Sequence, residues 1–293
     1  MNGFTAADGL RLRVRSWPHT GELRGVVHLS HGMGEHADLY DGLATTLSRH
    51  GLAVYAHDLR GHGLSMTDGP GHLGDDGWNR LVDDLRVLAE LLRERHPGLP
   101  LVLMGHSMGS YAVQQLMLDH GHLLDGAVLA GTTALDGLLD RLAREPDRLD
   151  YYNARFQPTR TRYDWLSRDD AFVDAFLADP RCAFPLDGAG LRDMHAAAPR
   201  LARPRGVPPG LPLYVVVGDR DPLNDGLALS DLLVRRYRAA GLVDITYRTY
   251  RAARHQLLYE TNSAEITADL IGWLTRVTDR RSSEMSPPLE NTC

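Results

Sequence analysis

Leu101-Val102-Leu103-Met104-Gly105-His106-Ser107-Met108-Gly109 is the stretch that decides the architecture of this chain. Four apolar residues in succession read as a buried strand, and the segment Met108 to His120 that follows reads as a helix. Between them lies a serine bracketed by glycines in G-x-S-x-G spacing. Strand, tight turn and helix are the context in which such a serine sits on a strained elbow with its hydroxyl projecting above a sheet. The glycines let the backbone turn sharply and approach its neighbours. A serine hydroxyl is a poor nucleophile at its free pKa, so Ser107 needs a base within hydrogen-bond reach and an acid to orient that base.

Outward from this elbow, short apolar runs alternate with longer segments of helical period, the pattern of a parallel sheet with helices on both faces. Strands are expected at Leu12 to Ser16, Val26 to Ser30, Ala53 to His57, Leu101 to Met104, Ala127 to Ala130, Leu213 to Val217 and Ile245 to Tyr250. Helices are expected at Tyr40 to His50, Gly77 to Arg95, Met108 to His120, Asp225 to Ala240 and Glu265 to Arg276. The second is the clearest, because Leu81, Leu85, Leu88 and Leu92 form one stripe and Pro97 and Gly98 end it. Residues 132–207 break the rhythm with no strand run, and 12 Arg, 10 acids and 8 aromatics lie between Arg141 and Arg205. A compact domain does not carry a structureless loop of that length, so a helical insertion is expected there. The fold class is α/β, a mostly parallel doubly wound sheet: 1–131 is the first part of the core, 132–207 the insertion and 208–277 the second part. The polar, Pro-containing 278–293 is expected to be a disordered tail.

In such a sheet the partners of Ser107 belong at the carboxyl ends of strands. His255 follows the strand ending at Tyr250 and is the candidate base, whereas His195 lacks that context and reads as a surface or cap residue. Asp219 and Asp221, after the strand ending at Val217, compete for the acid, and Asp219 also suits the turn itself. A tetrahedral intermediate needs backbone donors. The N–H of Met108, next after the serine, is one candidate, and the N–H of Met33 in His31-Gly32-Met33-Gly34 is the other. The crowd of His28, His31, His36, His57, His62, His72 and His106 lacks the spacing of a metal motif, so loop hydrogen bonding is the expected role and no metal is assigned.

Composition narrows the alternatives. The 293 residues are 43% hydrophobic and 24% charged, and a chain of this length removes about three quarters of its unfolded surface from water. Neither disulfides nor a structural metal is needed. A net charge of −6 without any basic block argues against nucleic acid as a partner. All 32 basic residues are Arg, a bias typical of GC-rich bacterial coding sequences, and the absence of Lys rules out Schiff-base chemistry. Cys182 and Cys293 give no disulfide framework. Met1 to Thr5 lead into a polar segment without an apolar signal region, and the longest apolar run, Leu211 to Val217, falls far short of the ~20 residues of a membrane helix. A soluble, cytoplasmic protein is expected.

Five motifs in order, His31-Gly32-Met33-Gly34-Glu35-His36, Ala56-His57-Asp58-Leu59-Arg60-Gly61-His62-Gly63-Leu64-Ser65, Gly105-His106-Ser107-Met108-Gly109, Gly218-Asp219-Arg220-Asp221 and Ala253-Arg254-His255, resemble the monoacylglycerol lipase and lysophospholipase-like branch of the α/β-hydrolase superfamily. The resemblance runs from about Gly3 to Leu274, and Phe156 to Phe184, including Asp164 to Asp169, looks like the cap of bacterial members. It implies a cofactor-free serine hydrolase with Ser107 as nucleophile, Asp221 as acid, His255 as base and Met33 and Met108 as oxyanion donors. It also implies that 132–207 forms a helical cap over an acyl-binding tunnel, able to touch a membrane surface. Glu35, Leu39 and Leu258 fall at positions near the leaving group, the two leucines where monoglyceride-specific members carry Arg and His. The implied reaction is hydrolysis of an acyl ester, a monoacylglycerol, a lysophospholipid-like lipid or a related small ester. The same three groups would also serve an acyltransferase, thioesterase or cyclase, and a non-catalytic binding protein is the alternative from another class.

Overall fold

The computed structural model describes residues 1–144 and 148–285. Eight strands form one sheet: β1 (Gly3–Thr5), β2 (Arg11–Trp17), β3 (Gly25–Ser30), β4 (Leu52–His57), β5 (Leu101–His106), β6 (Gly126–Ala130), β7 (Leu213–Gly218) and β8 (Ile245–Tyr250). Their spatial order is β1-β2-β4-β3-β5-β6-β7-β8. β2 runs antiparallel to both β1 and β4, and β4 through β8 are parallel. Each expected strand is present. The additional β1 has three residues, too few for an alternation to show in sequence.

The α-helices before the insertion are α1 (Asp41–Arg49), α2 (Gly77–Arg95) and α3 (Met108–His120). Between β6 and β7 come α4 (Leu135–Leu142), α5 (Arg148–Asn153), α6 (Asp170–Ala178), α7 (Gly188–Ala196) and α8 (Ala198–Leu201), with no strand among the described residues. α9 (Ala228–Ala239) and α10 (Ser263–Met285) complete the chain. α10 runs beyond the expected end at Arg276. Ile266, Leu270, Trp273, Leu274 and Val277 supply its buried stripe, and no proline interrupts the polar residues after Thr278 until Pro287. Polar composition alone does not separate a solvated helix end from a tail. Residues 286–293 lie outside the described residues.

Strand side chains alternate between two cores, as the pleat requires. Val26, Leu101, Leu103, Ala127, Leu129, Leu213 and Val215 pack with α2, α3 and α9. Val27, Leu29, Val54, Val102, Met104, Val128, Tyr214 and Val216 face the other way, against α1 and α10. Leu81, Leu85, Leu88 and Leu92 of α2 are at most 1% exposed, each contributing about 1.5–3 kcal/mol relative to an exposed side chain. β3 leads to β4 on one side while β5 lies on its other side, and this reversal opens a crevice at the carboxyl ends of the strands. Among the described residues no helix is long and apolar enough to cross a membrane.

The sheet also buries imidazoles. His28 Nε2 and His57 Nδ1 lie 3.3 Å apart, and burial pushes His57 down to about 3, His62 down to about 4, and His28, His31 and His106 well below the ordinary histidine value. These five stay neutral in the fold while the unfolded chain takes up protons below about pH 6.5. Their contribution is whole above that pH and is lost as pH falls toward the folded values. They outnumber the buried carboxyls Glu35 and Asp84, which burial pushes upward and which act in the opposite sense. The urea midpoint is expected to drop between pH 7.5 and pH 5. An unchanged midpoint would contradict this account.

Candidate active site

The carboxyl ends of β3, β5, β7 and β8 supply the site. At the end of β5, Ser107 has φ 50° and ψ −120°, a left-handed region that costs a side-chain-bearing residue energy unless its surroundings hold it. Its N–H donates to the Ala130 carbonyl at 3.0 Å and its own carbonyl accepts from Ser110 N–H at 2.8 Å. Gly109 is required by contact: a Cβ there would lie 2.3 Å from the Ser30 carbonyl oxygen and 2.5 Å from that of His31. The first turn of α3 therefore presses directly on the end of β3.

Three distant residues meet at this elbow. His255 Nε2 lies 2.9 Å from Ser107 Oγ, and His255 Nδ1 lies 2.8 Å from Asp221 Oδ2. His255 and Asp221 are both buried. The second oxygen of Asp221 accepts from Leu223 N–H at 2.9 Å, so the carboxylate is fixed in orientation as well as place. Asp219 points elsewhere, accepting from Ala252 N–H at 2.7 Å and closing the turn before His255. Of the two competing carboxylates, only Asp221 contacts the imidazole.

Ser107 and His255 open on a cavity of about 270 Å³ lined also by Met33, Glu35, Met108, Tyr152, Tyr163 and Trp165, and by Leu135, Leu138, Leu139, Leu142, Leu191 and Met194 from the inserted helices. Met33 N–H has no acceptor among the described residues, and Met108 N–H, at the first position of α3, has no intrahelical acceptor. Glu35 is buried, with its carboxylate accepting from Gly32 N–H at 2.9 Å, Tyr40 O–H at 2.8 Å and Gln256 Nε2 at 2.8 Å. Burial pushes its carboxyl pKa upward, and the hydrogen bonds from Gly32 and Tyr40 oppose that shift.

Other residues fall differently. Leu39 is half-buried between the two cores, and Leu258 lines a separate groove with Tyr40, His50 and Ile271. Neither is among the residues that line the Ser107 cavity. His195 lies on α7 in the inserted segment, the second of the two places expected for it, and is half-buried on the cavity wall; its contact with the cavity did not show in the sequence. Sequence reasoning also missed Trp165, whose ring lies 5.1 Å from that of His255, and His106, at 5.0 Å on another side. Away from the cavity, His36, Asp179 and Cys182 place three potential ligand atoms within 4.8 Å of one another. Asp179 is already held through both oxygens by the Arg181 guanidinium at 2.9 and 3.2 Å, a cation where a metal would need free negative charge.

The inserted segment is tied to both halves of the site. Gln256 N–H donates to the Leu166 carbonyl at 2.7 Å, and Arg168 pairs with the buried Glu260 at 2.7 Å. Ala183 N–H donates to the Gly34 carbonyl at 3.0 Å, while Arg181 reaches Asp38 at 2.9 Å.

Known proteins resemble this arrangement. A family model described as serine aminopeptidase, S33 (Hydrolase_4) matches residues 21–262. A monoacylglycerol lipase of Mycolicibacterium smegmatis is 30% identical over 275 residues, 93% of this chain and 96% of the relative. Human monoglyceride lipase is 30% identical over 300 residues, 96% of this chain and 92% of the relative. A thermostable carboxyl esterase from Bacillus coagulans, solved in complex with glycerol, superposes with a TM-score of 0.81 at 25% identity, covering 94% of this chain and 97% of that one.

The elbow contact yields a direct test. Gly109→Ala should cost about 1–3 kcal/mol through overpacking against the carbonyls of Ser30 and His31, and lower the thermal midpoint by several degrees. Gly226→Ala, where a Cβ meets nothing within 4 Å, would be strained only by its φ and serves as the comparison. Equal midpoints for Gly109→Ala and the parent protein would refute the contact.

Proposed function

The chain belongs to the serine aminopeptidase S33 family of α/β-hydrolases, and from that membership we propose that it hydrolyses acyl esters through a covalent intermediate on Ser107. The observation that carries this reading is the Ser107–His255–Asp221 chain of hydrogen bonds opening on an apolar cavity. His255 Nε2 takes the Ser107 proton as Oγ attacks the ester carbonyl. Asp221, accepting from Nδ1–H, holds the imidazole in the tautomer that leaves Nε2 free and stabilises the imidazolium that forms. The N–H groups of Met33 and Met108 receive the negative charge that develops on the carbonyl oxygen. His255 then returns the proton to the leaving alcohol. Water repeats the sequence on the acyl-enzyme and releases the acid.

Residues 132–207 act as the cap in this reading. Leucines of α4 and α7 give the acyl chain a dry wall, and Trp165 covers His255 on the cap side. The substrate class is an uncharged acyl ester of the monoacylglycerol or related small-ester kind. Support comes from the apolar lining, in which, among the described residues, Glu35 is the one carboxylate and no Arg takes part. A lysophospholipid phosphate would meet that carboxylate without a compensating guanidinium on the cavity wall.

Ser107→Ala is expected to abolish labelling by a fluorophosphonate probe and to reduce ester turnover by several orders of magnitude, and Asp221→Asn to lower kcat by about 10⁴-fold with its fold intact. Normal labelling of the alanine variant would show that another residue is the nucleophile.

A further inference from the structure

His31 takes no part in the proton transfers, yet it is buried beside the donor that would receive the oxyanion. We propose that His31 is the positioning residue that sets the direction of the Met33 N–H, an inference that rests on Met33 serving as an oxyanion donor. Its imidazole is 1% exposed, and burial holds it neutral near pH 7, so it carries a single N–H. Leu59 N–H donates to Nε2 at 3.0 Å. The proton therefore resides on Nδ1, which lies 2.8 Å from the Gly32 carbonyl oxygen and donates to it.

The Gly32 carbonyl and the Met33 N–H belong to one trans peptide plane and point in opposite directions. Holding the carbonyl on His31 leaves the N–H on the far side, the side with no protein acceptor among the described residues. Gly32 makes this restraint necessary. With no Cβ, it resists rotation of the peptide weakly, and a half-turn would offer the oxyanion a carbonyl oxygen in place of a donor. The preceding plane is fixed separately, by Gly32 N–H donating to Glu35 Oε2 at 2.9 Å. The proton on Nδ1 is itself set from the end of β4, through the Leu59 amide. The loop that leaves the neighbouring strand thus dictates the tautomer, and the tautomer dictates the donor.

Two near-isosteric variants separate this role from simple packing. In His31→Asn the amide can stand where Nδ1–H stands, whereas in His31→Gln it reaches the Nε2 position and cannot donate to Gly32. His31→Asn should keep kcat within about tenfold of the parent. His31→Gln should lose about 100-fold or more in kcat with KM within about threefold, the scale of one oxyanion donor. Its affinity for a trifluoromethyl ketone, whose adduct carries an oxyanion, should fall in proportion to kcat/KM. Equal kcat values for the two variants, high or low, overturn the proposal. So does a long-range ¹H–¹⁵N spectrum of the parent protein placing the His31 proton on Nε2, a measurement that needs no variant. A parent protein that neither hydrolyses esters nor labels at Ser107 refutes instead the ester-hydrolase reading on which the proposal stands.

Discussion

The close approach of Gly109 to the carbonyls of Ser30 and His31 is the constraint on which the rest of the site depends. It lets α3 begin directly against the end of β3, so the serine elbow and the His31–Gly34 turn become one packed unit. The strain at Ser107 persists because that unit over-determines it: Ala130 holds its N–H and Ser110 its carbonyl. β6, β7 and β8 then add their carboxyl ends to the same edge in parallel register. Sheet geometry brings the loops carrying Asp221 and His255 beside Ser107, and the turns in those loops then aim the two side chains.

The strands, the helices flanking the elbow and the helical character of 132–207 were legible because hydrophobic period and strand-end glycines report them locally. Ser107 was legible because it follows an apolar strand and a glycine, and His255 because it comes shortly after a run of β-branched and aromatic residues. Asp219 and Asp221 were not separable on residue type, since two carboxylates two positions apart differ only in where a turn aims them. The structure separates them by the Ala252 amide that Asp219 accepts. The nearness of His195, Trp165 and His106 to the site was missed because tertiary proximity is encoded by neither spacing nor composition. The length of α10 was misjudged where polar residues follow an amphipathic stripe, a composition shared by solvated helix ends and tails.

The inserted helices are more than a cover resting on the sheet. One strap, through Leu166 and Arg168, bonds the segment carrying His255; another, through Ala183 and Arg181, bonds the segment carrying Met33. Both the proposed base and the proposed oxyanion donor are thereby held from above as well as from the strands beneath. Preorganisation of this kind matters most for backbone donors, which have no side-chain rotamer of their own to adjust.

All the cations in these straps are guanidinium groups, since the chain contains no lysine. Guanidinium does not surrender its proton at any pH a folded protein tolerates, whereas an ammonium begins to do so near pH 10. The Arg181–Asp38 link therefore loosens by titration from the acidic side alone, as its carboxylate takes up a proton. In alkaline solution this tie between roof and sheet keeps both of its charges.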